Sequence, residues 1–100
     1  MKNKPHKKLE AWKTGIQLTV RTYQLTERLP NAEKFGLAAQ MRRASVSVVS
    51  NVAEGAAKNT KREFTQYLHT AQASLAELDT QAVICQELGL SYWNGFRATL

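Results

Sequence analysis

The sequence predicts an all-α fold. Apolar residues recur at helical spacing in three separate segments, alternation with period two is never sustained, and recognisable start and stop residues separate the segments. At 100 residues the chain is one domain, long enough to bury somewhat over 60% of its unfolded surface. We divide it into a basic, flexible tail over residues 1–8 and a single helical domain over 9–100.

The first helix is expected from about Glu10 to Arg28. Leu9, Trp12, Ile16, Val20 and Tyr23 form its main apolar face, and Leu29-Pro30-Asn31 ends it because the residue before proline is driven out of the helical region. Ala11, Leu18, Leu25 and Leu29 form a second apolar stripe on roughly the opposite side. A helix with two apolar faces must be covered twice. The second cover is read as another copy of the chain, which makes these four residues the expected oligomer interface; a wider core within one chain is the alternative.

The second helix begins near Phe35 and Gly36 and stops around Gly55-Ala56-Ala57, with Leu37, Met41, Ala44, Val48, Val49 and Val52 as its apolar contacts. Gln40, Arg43, Ser47, Ser50, Asn51 and Glu54 share one polar face, within roughly a third of the circumference. Short hydroxyls, an amide, one cation and one anion differ from the Lys and Glu mixture of an ordinary solvated surface. Thr60-Lys61-Arg62-Glu63 reads as a capping box. It opens the longest helix, which carries Phe64, Tyr67, Leu68, Ala71, Leu75, Leu78, Ala82 and Cys85 to a stop at Leu88-Gly89. The short turn between these helices makes them an antiparallel hairpin. Counting away from the turn sets Ser47 opposite Thr70 and Arg43 opposite the region of Ser74 to Glu77, and joins the first polar stripe to a second one of Gln66, Thr70, Ser74, Glu77 and Gln81. The expectation is a structural polar seam containing an Arg43–Glu77 ion pair; a polar binding groove or pore lining is the functional alternative.

The net charge of +6 raises the question of nucleic acid, yet Lys2, Lys4, Lys7 and Lys8 supply +4 of it. These tail lysines either contact phosphates without sequence preference or only keep the chain soluble. Lys58, Lys61 and Arg62 surround the turn between the second and third helices, where they form either a phosphate site or ordinary surface charge; no aromatic platform is closely interleaved with them. The longest apolar run is far short of the roughly 20 residues a membrane helix needs, and the basic start lacks a following hydrophobic block. A soluble protein with no membrane partner is expected. The single cysteine, Cys85, excludes an internal disulfide framework, fits a reducing cytoplasm and reads as a packed core thiol.

Catalytic patterns are thin. His6 and His69 are far apart, no Cys or His pair has metal-ligand spacing, and the glycines are scattered rather than gathered in a phosphate loop. The chain is therefore expected to be non-enzymatic, without cofactor or metal.

The segments FGL at 35–37, QMRRA at 40–44, SVVSNVAEG at 47–55, SLAELDTQ at 74–81 and ELG at 87–89, with Phe64, Ala71 and the LEAWKTG start, resemble the 23S rRNA-intervening-sequence protein family. That resemblance implies a left-turning, up-down antiparallel four-helix bundle that assembles into a ring-like homo-oligomer, with a pentamer the best-known form. A distantly similar group serves reverse transcriptases as accessory factors that bind nucleic acid and protein, so RNA or a nucleoprotein is an implied partner. The chain departs from the family pattern at SYWNGFRATL, 91–100, which reaches only about 15 Å as a helix. Helix four is thus expected to be short or truncated, with the uncovered core patched by Trp93 and Phe96 or by a neighbouring subunit.

Overall fold

The computed structural model describes residues 5–90, 93–97 and 100. Those residues are all-helical: α1 (Glu10–Thr26), α2 (Leu37–Ala56), α3 (Lys61–Glu87) and a single turn, α4 (Asn94–Arg97), with 3₁₀ segments over Pro5–Lys8 and Asn31–Glu33. None of these helices is long and apolar enough to cross a membrane. The 27 residues of α3 account for about 40 Å of a molecule measuring 44 × 24 × 23 Å.

Contacts fix the direction of each neighbour. From α1 to α2, Gly15 meets Val49, Thr19 bonds to Ser45 and Thr26 to Arg42, so one number falls as the other rises. From α2 to α3, Gly55 meets Phe64 and Tyr67, Ser47 meets Ser74, and Met41 meets Cys85. Successive long helices are antiparallel.

The start and stop signals act locally. At the head of α3, Thr60 Oγ1 accepts from the Glu63 N–H at 3.1 Å, and the Glu63 carboxylate accepts from the same hydroxyl at 3.0 Å. At its tail, Gly89 takes φ +84°, the Gly89 N–H donates to Gln86 O at 3.0 Å and the Leu90 N–H to Cys85 O at 3.1 Å. That pair of bonds is a Schellman motif, and its left-handed residue favours glycine. Gly55, expected as a stop, lies inside α2. A Cβ there would sit 2.8 Å from both Phe64 Cδ1 and Tyr67 Cβ, so this glycine permits close approach of α3.

The two stripes of α1 exchange roles. Leu25 and Leu29, expected at an oligomer interface, are core residues at 2% and 8% exposure, packed with Ala38, Met41, Leu78 and Cys85. Leu18 is half-buried against that core and Ala11 is exposed. By contrast Ile16, Val20 and Tyr23, expected in the core, are 40%, 52% and 43% exposed. The reason lies in the residues between the leucines. Gly15 lets Val49 come to 3.1 Å from where a Cβ would stand. Thr19, Thr22 and Thr26 each donate to the carbonyl four residues back, at 2.8, 2.8 and 2.7 Å, which satisfies the hydroxyls of two fully buried threonines and one half-buried one.

Trp93 and Phe96 close the core beside α3, their rings edge-to-face at 5.0 Å and 85°. Arg97 anchors this short segment by bonding Asp79 on α3 at 3.0 Å.

Candidate functional site

The polar seam is built where α2 and α3 face each other. Asn51 Nδ2 donates to Ser47 O at 2.7 Å and Ser47 Oγ at 3.1 Å, while the Ser47 and Ser74 hydroxyls lie 2.7 Å apart. Having accepted from Asn51, the Ser47 hydroxyl has its proton free to donate to Ser74. Further along, Gln81 Nε2 donates to Glu77 at 3.1 Å, and the buried Gln81 Oε1 has no partner. Ser50 is half-buried; Gln40, Arg43, Glu54, Thr70 and Glu77 are exposed, and Thr70 bonds only back to Gln66 O on its own helix.

The Arg43–Glu77 ion pair does not form. Ser47 faces Ser74, one turn beyond Thr70, and in that register the residue level with Arg43 is the fully buried Leu78. Glu77, beside it, points its carboxylate to Gln81. A cation that does bridge α1 and α2 is Arg42: its Nε donates to Thr26 Oγ1 at 2.8 Å, its Nη2 to Glu27, just past α1, at 3.1 Å and to Tyr23 O at 3.3 Å, and its guanidinium lies 4.7 Å from the Tyr23 ring centre. Sequence reasoning passed over it because its partners lie across a loop on another helix.

Cys85 is fully buried with its sulfur 3.8 Å from Met41 Sδ. Burial, with a smaller contribution from the Glu33 carboxylate, pushes the thiol up to about 11. Both influences disfavour the thiolate. Among the described residues no group of three or more His, Cys, Asp or Glu has the arrangement to hold a metal. His6 instead stands edge-on to Trp12, with ring centres 5.2 Å apart.

The basic residues converge more than the sequence indicates. Pro5–Lys8, expected within a flexible tail, is a 3₁₀ turn packed on α1 and α2. Leu9, which follows it, shares a shallow hollow of about 360 Å³ with Gly55, Lys58, Lys61 and Phe64. One end of the molecule therefore carries Lys7, Lys58, Lys61 and Arg62, all exposed. Lys58 Nζ lies 5.3 Å above the ring of the half-buried Tyr67, a cation–π contact that places an aromatic directly under the cluster. No helical period across the turn links positions 58 and 67, so this neighbour is not visible in the sequence pattern. Lys4 and the side chain of Lys8 lie outside the described residues.

A second surface is apolar. α1 and α3 are splayed over α2 and leave a groove of about 420 Å³ whose walls are Ala11, Gly15 and Leu18 on one side and Leu68, Ala71 and Leu75 on the other. Val48 and Val52 form its floor, and Leu100 lies against it.

No curated protein matches the chain. The family model described as 23S rRNA-intervening sequence protein matches residues 7–98, which takes in α1 to α4 and, apart from Leu100, the residues named for both surfaces. The chain belongs to the 23S rRNA-intervening sequence protein family.

Proposed function

We propose that this protein is a non-enzymatic, self-associating helical-bundle module that binds RNA, free or within a nucleoprotein, through its basic end. The observation that carries the reading is the hollow that Leu9, just after the Pro5–Lys8 turn, shares with Lys58 and Lys61 of the α2–α3 turn, with Tyr67 beneath Lys58. Cations in reach of one another can neutralise successive phosphates, and aromatic rings nearby suit an unpaired strand. The antiparallel order of α1, α2 and α3, with α4 as a stub, supports an up-down bundle of the four-helix type with a short last helix. Cytoplasm is the compartment we assign, since the one cysteine is a free, buried thiol. A ring, with the pentamer as its reference form, is the assembly we assign.

The test is a fluorescence-anisotropy titration of single-stranded RNA at 50 and 200 mM salt, with the chain and with its Lys58→Ala/Lys61→Ala/Arg62→Ala variant. Each phosphate contact contributes about −0.7 to the slope of log affinity against log salt. Loss of three contacts should flatten that slope by about 2 units while leaving the helical circular dichroism unchanged. Equal slopes for the two proteins would remove this end from RNA binding. The apolar groove favours a second reading, a structural or protein-binding module whose charges serve only solubility, and that reading gains if binding of RNA is absent at both salts.

A further inference from the structure

We propose that the cavity where the end of α1 meets the start of α2 takes the phosphate of a nucleoside 5′-monophosphate, whose base stacks on the exposed ring of Phe35. The nucleotide is either free or the phosphorylated end of an RNA strand. This site goes beyond the basic end and is independent of it, since α2 runs between the two and its 20 residues span about 30 Å. The cavity holds about 110 Å³, several times the roughly 30 Å³ that one water occupies in the liquid, which is room for a phosphate group. Its back is formed by the buried Thr26, Leu29 and Ala38, and its rim by Asn31, Lys34 and Arg42.

Arg42 is set in place before any ligand arrives. Its Nε donates to the buried Thr26 hydroxyl at 2.8 Å, its Nη2 to Tyr23 O at 3.3 Å, and the Tyr23 ring supports the guanidinium at 4.7 Å. Among the described residues Nη1 makes no such bond. The Glu27 carboxylate, 3.1 Å from Nη2, is 82% exposed, and a pair so open to water is worth little. A phosphate entering the cavity therefore meets a guanidinium edge whose one carboxylate can withdraw into solvent. Held by its other neighbours, that edge loses little freedom in taking two phosphate oxygens. Lys34 supplies the second cation, and the two together match the charge of about −1.5 to −2 that a terminal phosphate carries at pH 7. An internal phosphodiester carries a single charge and must continue on both sides, which a cavity closed at the back by Leu29 and Ala38 opposes. A 5′-phosphate sits on a freely turning CH₂ and enters such a cavity end-on.

Phe35 stands next to Lys34 in the chain and is 89% exposed, more than any other large apolar side chain among the described residues. Lys34 Nζ lies 5.8 Å from its ring centre. The side chain that lines the cavity thus also reaches over the ring, which links the phosphate position to a stacking platform. An aromatic ring so open to water offers a face to a base, and stacking accepts any of the four because each has a π-face.

The experiment is isothermal titration calorimetry with adenosine 5′-monophosphate, adenosine and inorganic phosphate, on the chain and on its Lys34→Ala and Phe35→Ala variants. Both positions are exposed, and circular dichroism confirms helicity. The monophosphate should bind at one site per chain, more tightly than adenosine or phosphate. Lys34→Ala should weaken it by about tenfold and Phe35→Ala by at least about fivefold. The two sources are separated on the Lys58→Ala/Lys61→Ala/Arg62→Ala protein, in which the basic end is silenced, by anisotropy with a 3′-labelled single-stranded RNA bearing a 5′-phosphate or a 5′-hydroxyl. Tighter binding of the phosphorylated strand assigns the site to RNA ends; equal binding of the two strands, with the monophosphate still bound, assigns it to free nucleotide. A monophosphate that binds no better than adenosine or phosphate, or binds the chain and both variants equally, overturns the site while the RNA reading of the basic end stands.

Discussion

The two faces of α1 differ in the opposite sense to their hydrophobicity. One presents Gly15, Thr19, Thr22 and Thr26 between its leucines and is buried; the other presents Trp12, Ile16, Val20 and Tyr23 and is largely open to solvent. The difference teaches that helix packing in this small protein is decided by how near two backbones can come. A glycine and short side chains let α2 settle onto α1, and each threonine hydroxyl is satisfied by its own helix before burial, which removes most of the desolvation cost. Bulky residues would hold the helices apart at that crossing.

The largest effect that tests this contrast comes from paired truncations. Leu25→Ala should destabilise the chain by about 2–5 kcal/mol, through lost transfer energy and the cavity left behind, whereas Val20→Ala should change the stability of the single chain by less than about 0.5 kcal/mol. Urea denaturation at a concentration where the chain is monomeric reads both, and equal losses would break the comparison. Next in size is Gly15→Val, whose Cβ alone stands 3.1 Å from Val49; the added bulk should cost about 1–3 kcal/mol, seen as a lowered midpoint at unchanged slope. Smaller again is Thr26→Val, which removes the acceptor for Arg42 Nε at 2.8 Å. Arg42 is partly exposed and regains water, so about 1 kcal/mol is the expected loss. No loss at all would mean that the threonine face is buried for its shape alone.

Much of the helical framework was legible in the chain. The Thr60 cap, the Gly89 stop and the break before Pro30 depend on neighbours a few residues away, and their chemistry is written locally. The family resemblance and the short last helix were legible from local sequence too, whereas Trp93 and Phe96, rather than a neighbouring subunit, closing the core is set by contacts with distant residues. Features set by the third dimension were not. Gly55 looks like a helix end until Phe64 and Tyr67 are seen against it. The seam's hydroxyls do meet, but counting from the turn misjudged the register by one turn, so Ser47 found Ser74 and Arg43 found no carboxylate on α3. On α1, amphipathicity could not say which of two apolar stripes lies inward, because the deciding quantity is the separation of the helix axes. The candidate RNA surface was half legible: Lys58, Lys61 and Arg62 are close in the chain, whereas the hollow that Lys58 and Lys61 share with Leu9, and the Lys58–Tyr67 contact, depend on where the amino-terminal turn and α3 come to rest.

The sealed position of Cys85 gives the protein a built-in gauge of its own opening. It is the one thiol in the chain, lies at 0% exposure against Met41, and holds its proton up to about pH 11. Maleimides and iodoacetamide react with the thiolate, so modification of this sulfur waits until α3 parts from α2. The pace of alkylation thus counts opening events of the core with no added label, and a ligand or neighbouring copy that holds the helices together slows the count.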